Sequence, residues 1–338
     1  MIDIQNRRYI GSKTKLLDKI EQCLIDFGFN DQVDYTFADL FAGTGVVAYH
    51  FAQRGKSVIV NDLLYSNYIC YKAFLGDSEI DDVKLNKVFE YFNSIKYESL
   101  SDNYFSDIYG DKYFSFNDAR KIGFIREYIE DKKANFTDRE YAVLLTALLY
   151  VVDKIANTVG HFEHFLSKKP IDSNFLLSPL LIRNTSNALI FNEDVNVLAP
   201  KIEADVVYLD PPYNARQYVN FYHVLENLAR WNKPVDFEGT SMKFKRDHLK
   251  SGYSKKCAPI LMRDLIQKIK AKFIIVSYNN TYNAKSGASN NKISEEELIS
   301  ILKEKGEVYV RAFDYKSFNS GKTDFINHKE KLYICLTK

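Results

Sequence analysis

The stretch VVYLDPPYNA, residues 206–215, runs an apolar segment straight into Asp210, two prolines and Tyr213. Proline holds φ near about −65°, so Pro211 and Pro212 fix the local carbonyls, most simply that of Pro211, before any ligand arrives. A carboxylate and a prepositioned carbonyl, aimed by one short segment, are two acceptors for the hydrogens of a nitrogen nucleophile, and Tyr213 supplies a ring that can stack on a planar substrate. The competing account is an Asp-Pro turn with an incidental tyrosine.

A second stretch, DLFAGTGVVA, spans residues 39–48. Gly43, Gly45 and Ala48 fit the GxGxx(G/A) turn, and Asp62 lies where a ribose-binding acid is expected, about 20 residues on. Taken alone, the glycines could merely permit a tight strand-to-helix turn. Asp39 discriminates, because a carboxylate at the strand's end beside a helix N-terminus repels a pyrophosphate and attracts an ammonium. S-adenosylmethionine offers an ammonium, a ribose and an adenine without a phosphate. Asp39 therefore suits its amine and Asp62 its ribose hydroxyls.

Residues so far apart need a sheet to bring them together. KTKLLDKIEQCLIDFGF places Leu16, Leu17, Ile20, Leu24 and Phe27 at helical spacing, with Gly28 as its stop. YTFADLFAGTG reads as a short strand entering the glycine turn, VVAYHFAQRG as a helix closed by Gly55, and KSVIVND as a second buried strand. This βαβ unit implies a parallel sheet. From about Tyr65 to Asn184 the pattern becomes mostly helical and rich in Tyr, Phe and charge, the mark of an inserted domain. Strands resume in NALIFNEDV and continue through DVVYLD, KFIIVSY, GEVYVRAFDY and KLYICLT, the last two expected to pair antiparallel. In such a sheet, ligands bind beyond the carboxyl ends of the strands, where Asp210 falls.

Composition bounds the possibilities. A chain of 338 residues with 46% apolar and 14% aromatic content can bury a large core, and its length suggests about two domains. Lys plus Arg total 46 against 44 Asp plus Glu, a formal charge of +2, so any basic footprint for nucleic acid must be local. Cys23, Cys70, Cys257 and Cys335 form no CxxC pair, which argues against a zinc site and a disulfide framework; reduced cysteines are expected. MIDIQNRRYI lacks the apolar core of a signal peptide, and AVLLTALLYVV is too short to span a bilayer, so a soluble, cytoplasmic protein is expected.

RYIGSKTKLL, DLFAGTG, VIVND and DPPY, in that order with an insert between the second and third strands, resemble the Dam-like, alpha-order family of DNA adenine N6-methyltransferases. The resemblance implies an α/β fold, a Rossmann-like AdoMet-dependent methyltransferase sheet, made of residues 1–64 and 185–338, with a mostly helical target-recognition domain inserted over 65–184. It assigns S-adenosyl-L-methionine to Tyr9, Gly11, Ser12, Lys13, Asp39, Phe41, Gly43, Gly45, Asp62 and Asp194, the last toward the cofactor's adenine with Glu193 as a nearby competitor. Catalysis falls to Asp210, Pro211, Pro212 and Tyr213, which hold an adenine amine whose lone pair must be drawn out of the ring. Ser277, Tyr278 and Asn279 of FIIVSYNN are implied to line the pocket, although a plain strand end explains them equally.

The adenine of a duplex must be flipped out to react, so double-stranded DNA has to be gripped meanwhile. Residues 241–256 carry Lys243, Lys245, Arg246, Lys250, Lys255 and Lys256 against Asp247, a local net charge of +5. Arg216, Tyr218, Tyr222 and His223 lie just after the Asp-Pro-Pro-Tyr motif and could cover the extruded base. Residues 77–118 hold ten acids and four bases and should face away from phosphates. Lys154, Asn157, His161, His164, Lys168 and Lys169 are the insert's candidates for reading sequence. The reading is a site-specific DNA adenine methyltransferase, the modification enzyme of a restriction system with its cognate endonuclease, or a solitary methylase. A nicotinamide oxidoreductase would leave Asp39 and the Asp-Pro-Pro-Tyr motif unexplained. A binding module would explain the basic run alone, while methylation of RNA or of a glutamine side chain poses the same lone-pair problem.

Overall fold

The computed structural model describes residues 1–30, 32–183, 185, 187–281, 287–314 and 329–338. Asn184, the expected end of the insert, and Tyr315, the expected last residue of a strand, lie outside the described residues. Along the chain come α1 (Leu17–Asp26), β1 (Thr36–Asp39), α2 (Val46–Gln53), β2 (Ser57–Asn61), α3 (Tyr65–Leu75), α4 (Asp82–Ser94), α5 (Tyr104–Tyr109), α6 (Phe116–Asp131) and α7 (Asp138–Ile155). They are followed by β3 (Ala188–Phe191), α8 (Val195–Leu198), β4 (Val206–Leu209), α9 (Tyr218–Arg230), β5 (Phe237–Glu238), β6 (Lys243–Phe244), α10 (Ala258–Lys268), β7 (Phe273–Asn279), α11 (Glu295–Lys303), β8 (Gly306–Asp314) and β9 (Lys329–Thr337). Two compact units result, one of Met1–Gly11, Leu64–Asn184 and Val219–Asp247, the other of Ser12–Leu63, Thr185–Tyr218 and His248–Lys338.

The second unit holds a seven-stranded sheet, among the described residues, in the order β3-β2-β1-β4-β7-β9-β8. The first five strands of that order run parallel, β9 is antiparallel to β7, and β8 is antiparallel to β9. VVYL of β4 and FIIVSYN of β7 are buried at every position, which is why VVYL and FIIV read as continuous apolar runs and not as alternating ones. On one face Phe37 stacks on Phe51 of α2, their ring centroids 4.0 Å apart. On the other, Ala38, Val207, Leu209 and Ile274 share a core with Met262 and Leu265 of α10 and Leu298 and Ile301 of α11.

Strand order reverses at β1, which has β2 on one side and β4 on the other, so the crevice beyond the carboxyl ends of β1 and β4 is the place for a ligand. Register then decides which side chains look into it. Asp39 lies opposite Tyr208, Tyr208 opposite Ile275, Ser277 opposite Leu332, and Asn279 opposite Glu330. Residues directly opposite share a face and every second residue returns to it. Asp39, Tyr208, Ser277 and Glu330 therefore sit on one face, with Asp210 two residues beyond Tyr208.

The first unit is built from α3 to α7, most of α9 and the short β5–β6 pair. AVLLTALLYVV is buried throughout in α7, whose start is fixed by the reciprocal Thr137–Glu140 capping box. Among the described residues no helix is long and apolar enough to cross a membrane. Residues 1–11 and 219–247, which the sequence pattern groups with the sheet, pack with the inserted helices instead. Ile2 bridges to Leu180, Arg7 Nη1 donates to Asn67 Oδ1 at 2.6 Å, Phe162 N donates to Phe221 O at 2.7 Å, and Arg126 Nε donates to Leu228 O at 2.7 Å. These long-range pairings leave no local signature.

Leu64, at the N-cap of α3, has no side chain able to cap it, and the task falls to Glu226 of α9. Its fully buried carboxylate accepts from Tyr65 N and Ser66 N, each at 2.9 Å, and from Arg230 Nε at 2.7 Å. Glu226→Ala is expected to cost about 3–5 kcal/mol, because two helix-end N–H groups and a guanidinium lose their buried anion. Urea unfolding of the variant and parent checks this, and a loss below about 1 kcal/mol would contradict the capping role.

Candidate active site

The glycine turn is closed by backbone contacts and by the acids it was expected to carry. Gly43 and Gly45 adopt φ of 54° and 80°, left-handed values that a side chain resists, and Gly43 N donates to Asp62 Oδ2 at 2.9 Å. Asp39 is 1% exposed and accepts from Ala48 N through Oδ2 at 3.3 Å, while its Oδ1 has no hydrogen-bond partner. Burial pushes its carboxyl well above the usual range, and the charges of Asp210 and Asp62 push the same way, against the Ala48 N–H. A buried carboxylate oxygen without a partner is a demand for a cation or a donor.

Neighbouring positions complete the turn's surroundings. Phe41 meets Tyr253 edge to face with ring centroids 5.0 Å apart, and Tyr253 Oη donates to Asn196 Oδ1 at 2.7 Å. Asp194 is exposed and caps α8 by accepting from Asn196 N at 2.9 Å, and Glu193 pairs with Lys201. Ser12 Oγ lies 3.0 Å from Thr14 Oγ1. Tyr9 and Gly11 belong to the first unit, where Tyr9 stacks on Tyr222 at 4.7 Å and Arg7 lies against both rings.

Lys13, expected among the cofactor contacts, bonds to the Asp-Pro-Pro-Tyr carboxylate. Its ammonium is buried, 3.1 Å from Asp210 Oδ1 and 2.9 Å from Glu330 Oε1, and Ser277 Oγ donates to the same Glu330 oxygen at 2.9 Å. Burial pushes the Asp210 carboxyl up to about 7; Lys13 pulls it down and the Glu330 charge pushes it further up. Burial disfavours the Lys13 ammonium, yet Asp210 and Glu330 hold its pKa well above the ordinary value. Pro211 is buried, and the Tyr213 carbonyl accepts from Lys292 N at 2.8 Å while its ring meets Tyr278 edge to face at 6.0 Å. Of Ser277, Tyr278 and Asn279, Ser277 joins the charged cluster, whereas the Asn279 side chain accepts from Thr281 N at 3.0 Å. Glu330 was missed because a lone glutamate in HKEKLYICLT resembles any charged strand end; only pairing with β7 turns it inward.

The basic run does not form one surface element. It passes from the first unit to the second after Asp247, and its six bases differ. Lys245, Lys255 and Lys256 are exposed, and Lys243 and Lys250 are half-buried. Arg246 is buried, its guanidinium donating to Asn220 Oδ1 at 2.7 Å, Glu238 Oε2 at 3.2 Å and Phe244 O at 2.9 Å, which makes it a tie for the β5–β6 pair. Arg216 is exposed, with Nη2 3.3 Å from Ser289 Oγ, and Tyr218 opens α9. Tyr222 and His223, expected over an extruded base, are buried; Tyr222 accepts from Ile10 N at 2.7 Å and His223 Nε2 lies 2.9 Å from Phe162 O. Asn157 donates its side-chain amide to the carbonyls of Lys112, Leu166 and Lys168, pinning a loop in place, while Lys154, His164, Lys168 and Lys169 stay exposed. Among the described residues no cluster of three or more His, Cys, Asp or Glu could hold a metal ion.

A mostly parallel seven-stranded sheet, with a glycine turn after β1 and Asp-Pro-Pro-Tyr after β4, defines a Rossmann-like methyltransferase fold. Residues 9–287 match the family of D12 class N6 adenine-specific DNA methyltransferases. The chain is 31% identical over 330 residues to the Type II methyltransferase M.NlaIII of Neisseria lactamica, covering 95% of both chains. It is 36% identical over 332 residues to the Modification methylase StsI of Streptococcus sanguinis, and 31% identical over 333 residues to the Type II methyltransferase M.FokI of Planomicrobium okeanokoites. Of this chain 93% is covered in both cases, but it spans only about half of those relatives, 49% and 50% of their lengths. The chain belongs to the D12 class of N6 adenine-specific DNA methyltransferases, and is Dam-like.

Burial separates two adjacent bases of the run. Arg246→Met is expected to lower unfolding stability by about 1–3 kcal/mol, since Asn220 and the Phe244 carbonyl lose a buried donor. Lys245→Gln, at an exposed site, should stay within about 0.5 kcal/mol of the parent. Parallel denaturant titrations test the contrast, and equal losses would refute it.

Proposed function

We propose that this chain transfers a methyl group from S-adenosyl-L-methionine to the N6 amine of an adenine extruded from double-stranded DNA. The observation that supports it most is the presence of two acids at neighbouring strand ends: Asp39, buried with one oxygen unpartnered, and Asp210, half-buried and held beside Lys13. The residues fit the cofactor. Asp39 Oδ1 suits its ammonium, Asp62 its ribose, and the edge formed by Phe41, Tyr253 and Asp194 its adenine, and no base lies among these residues to receive a phosphate. Bound there, S-adenosylmethionine would supply a methyl group on a sulfonium, a carbon that a neutral nitrogen can attack.

The rest is work for the chain's own groups. The Asp210 carboxylate accepts one hydrogen of the amine and the Pro211 carbonyl the other, drawing the lone pair out of the ring. The prolines hold that carbonyl in place, so little reorganisation remains at the moment of reaction. Tyr213 stacks on the base. The helices over 65–184 act as the target-recognition domain, and Lys243, Lys245, Lys250, Lys255 and Lys256, with Arg216 and Tyr218, engage the DNA backbone. The names of the relatives, a modification methylase and a type II methyltransferase, support a place in a restriction-modification system; a cognate endonuclease as its counterpart and a cytoplasmic location belong to the same proposal.

Incubating the protein with DNA and methyl-labelled S-adenosylmethionine, then identifying the labelled nucleoside, tests the reading; N6-methyladenine is expected, and label only on RNA or on protein would overturn it. Asp210→Ala should abolish transfer while cofactor affinity stays within about tenfold. Because its folded pKa is raised to about 7, Asp210 is protonated below that pH and cannot accept the amine hydrogen. Thus kcat/KM should rise with pH through an acid limb near 7. A flat profile from pH 6 to 8 would contradict the role.

Asp39→Asn should weaken cofactor binding by about 10- to 150-fold, the equivalent of one charge-assisted hydrogen bond. Since burial raises the Asp39 carboxyl pKa, an ammonium bound beside it should lower that pKa again, so binding to the parent should release protons, a release absent from the variant. Calorimetry in buffers of different ionisation enthalpy reads both quantities, and unchanged affinity would remove Asp39 from the site.

A further inference from the structure

We infer that Glu330 is a positioning residue that neutralises Lys13, so that the cluster's net negative charge remains on the Asp210 carboxylate facing the amine. The inference rests on the proposed reaction. Its geometric basis is a buried ammonium shared by two carboxylates, 3.1 Å from Asp210 Oδ1 and 2.9 Å from Glu330 Oε1, with Ser277 Oγ holding that same Glu330 oxygen at 2.9 Å. Both Lys13 and Glu330 are less than 10% exposed, so solvent screens neither charge effectively.

The charge flow of the reaction explains why the count matters. The amine lone pair forms the new nitrogen–carbon bond, the pair of the breaking carbon–sulfur bond stays on sulfur, and the surplus amine proton passes to the Asp210 carboxylate. Between the first and last events the nitrogen is acquiring positive charge. A lysine paired with Asp210 alone would form a neutral couple beside that nitrogen. A second carboxylate on the far side of Lys13 changes this. Lys13 and Glu330 cancel, and one full negative charge is left to oppose the developing cation.

The groups facing Asp210 are Lys13 from the N-terminal segment, Glu330 from β9, Asp39 from β1 and Tyr208 from β4. Glu330 raises the Asp210 pKa and Lys13 lowers it. Removing the charge of Glu330 should therefore weaken the reaction at its plateau and also move its acid limb to lower pH. A purely structural partner of Lys13 would produce no such ordered shift.

Single-turnover rates at saturating cofactor and DNA, from pH 5.5 to 9, test this in Glu330→Gln, Lys13→Met and the double variant, with calorimetric cofactor affinity and thermal unfolding as checks of the fold. Glu330→Gln is expected to lose at least about tenfold in plateau rate, with cofactor affinity within about threefold and the acid limb lowered. Lys13→Met, which leaves two carboxylates together, should raise the limb. The double variant restores the parent's single negative charge and should exceed Glu330→Gln at least about fivefold. A Glu330→Gln rate within twofold of the parent with an unshifted limb, or a double variant no faster than Glu330→Gln, would overturn the inference. If Glu330→Gln does not fold, the double variant is compared with Lys13→Met, over which it should be faster at pH 7; equal rates reject the inference. A parent that methylates no adenine removes the functional reading and this inference with it, whereas an active parent with unresponsive variants removes the inference alone.

Discussion

One buried ammonium ties together the charged side chains at the carboxyl end of β4. Lys13 approaches from the start of the chain and meets a carboxylate from the loop after β4 and another from β9, the latter 317 positions away. Taking three charges out of water is unfavourable unless each is paired and further hydrogen-bonded, and Ser277 supplies part of that satisfaction. Such clusters are poor stabilisers of a fold, and apolar residues of similar volume would serve stability as well or better. On the proposed reaction, their presence beside an Asp-Pro-Pro-Tyr loop is electrostatic preorganisation, in which the field is set before the substrate enters.

That arrangement depends on strand order and register more than on any single residue. β1 and β4 are neighbours although the helical insert separates them in sequence, and their carboxyl ends carry Asp39 and Asp210. The antiparallel β9 extends the sheet beside β7, and with the register Asn279 opposite Glu330 it delivers a carboxylate to the face on which Ser277 lies. A slip of one residue would turn Glu330 toward the core made with α10 and α11. The long pairing of β9 with β7 and β8 guards against this slip.

The helical unit follows a different logic. Its polar burials serve architecture: Glu226 caps α3, Arg246 ties the β5–β6 pair, and Asn157 pins the loop after α7. Arg246 and Asn157, candidates for nucleic-acid contact in the sequence, are thus engaged internally. The charge remaining exposed on residues 241–256 is therefore smaller than the raw composition of the run, because a buried guanidinium bonded to a carboxylate contributes little field at the surface.

Much of the sheet-bearing unit was legible in the chain. Short, largely apolar runs mark β1, β2, β4 and β7, since strands covered on both faces are buried at nearly every position, and the glycines at positions 43 and 45 mark a turn made in left-handed backbone. The order of glycine turn, insert and Asp-Pro-Pro-Tyr identified the family. Sequence alone could not show that Lys13 turns to Asp210, that Glu330 closes the far side of the ammonium, that Tyr253 meets Phe41, or that residues 1–11 and 219–247 pack with the insert. Local pattern reports which face of an element is apolar, within a few residues of itself. Which distant side chains share a buried charge is decided by sheet order and register, and those exist only once the chain has folded.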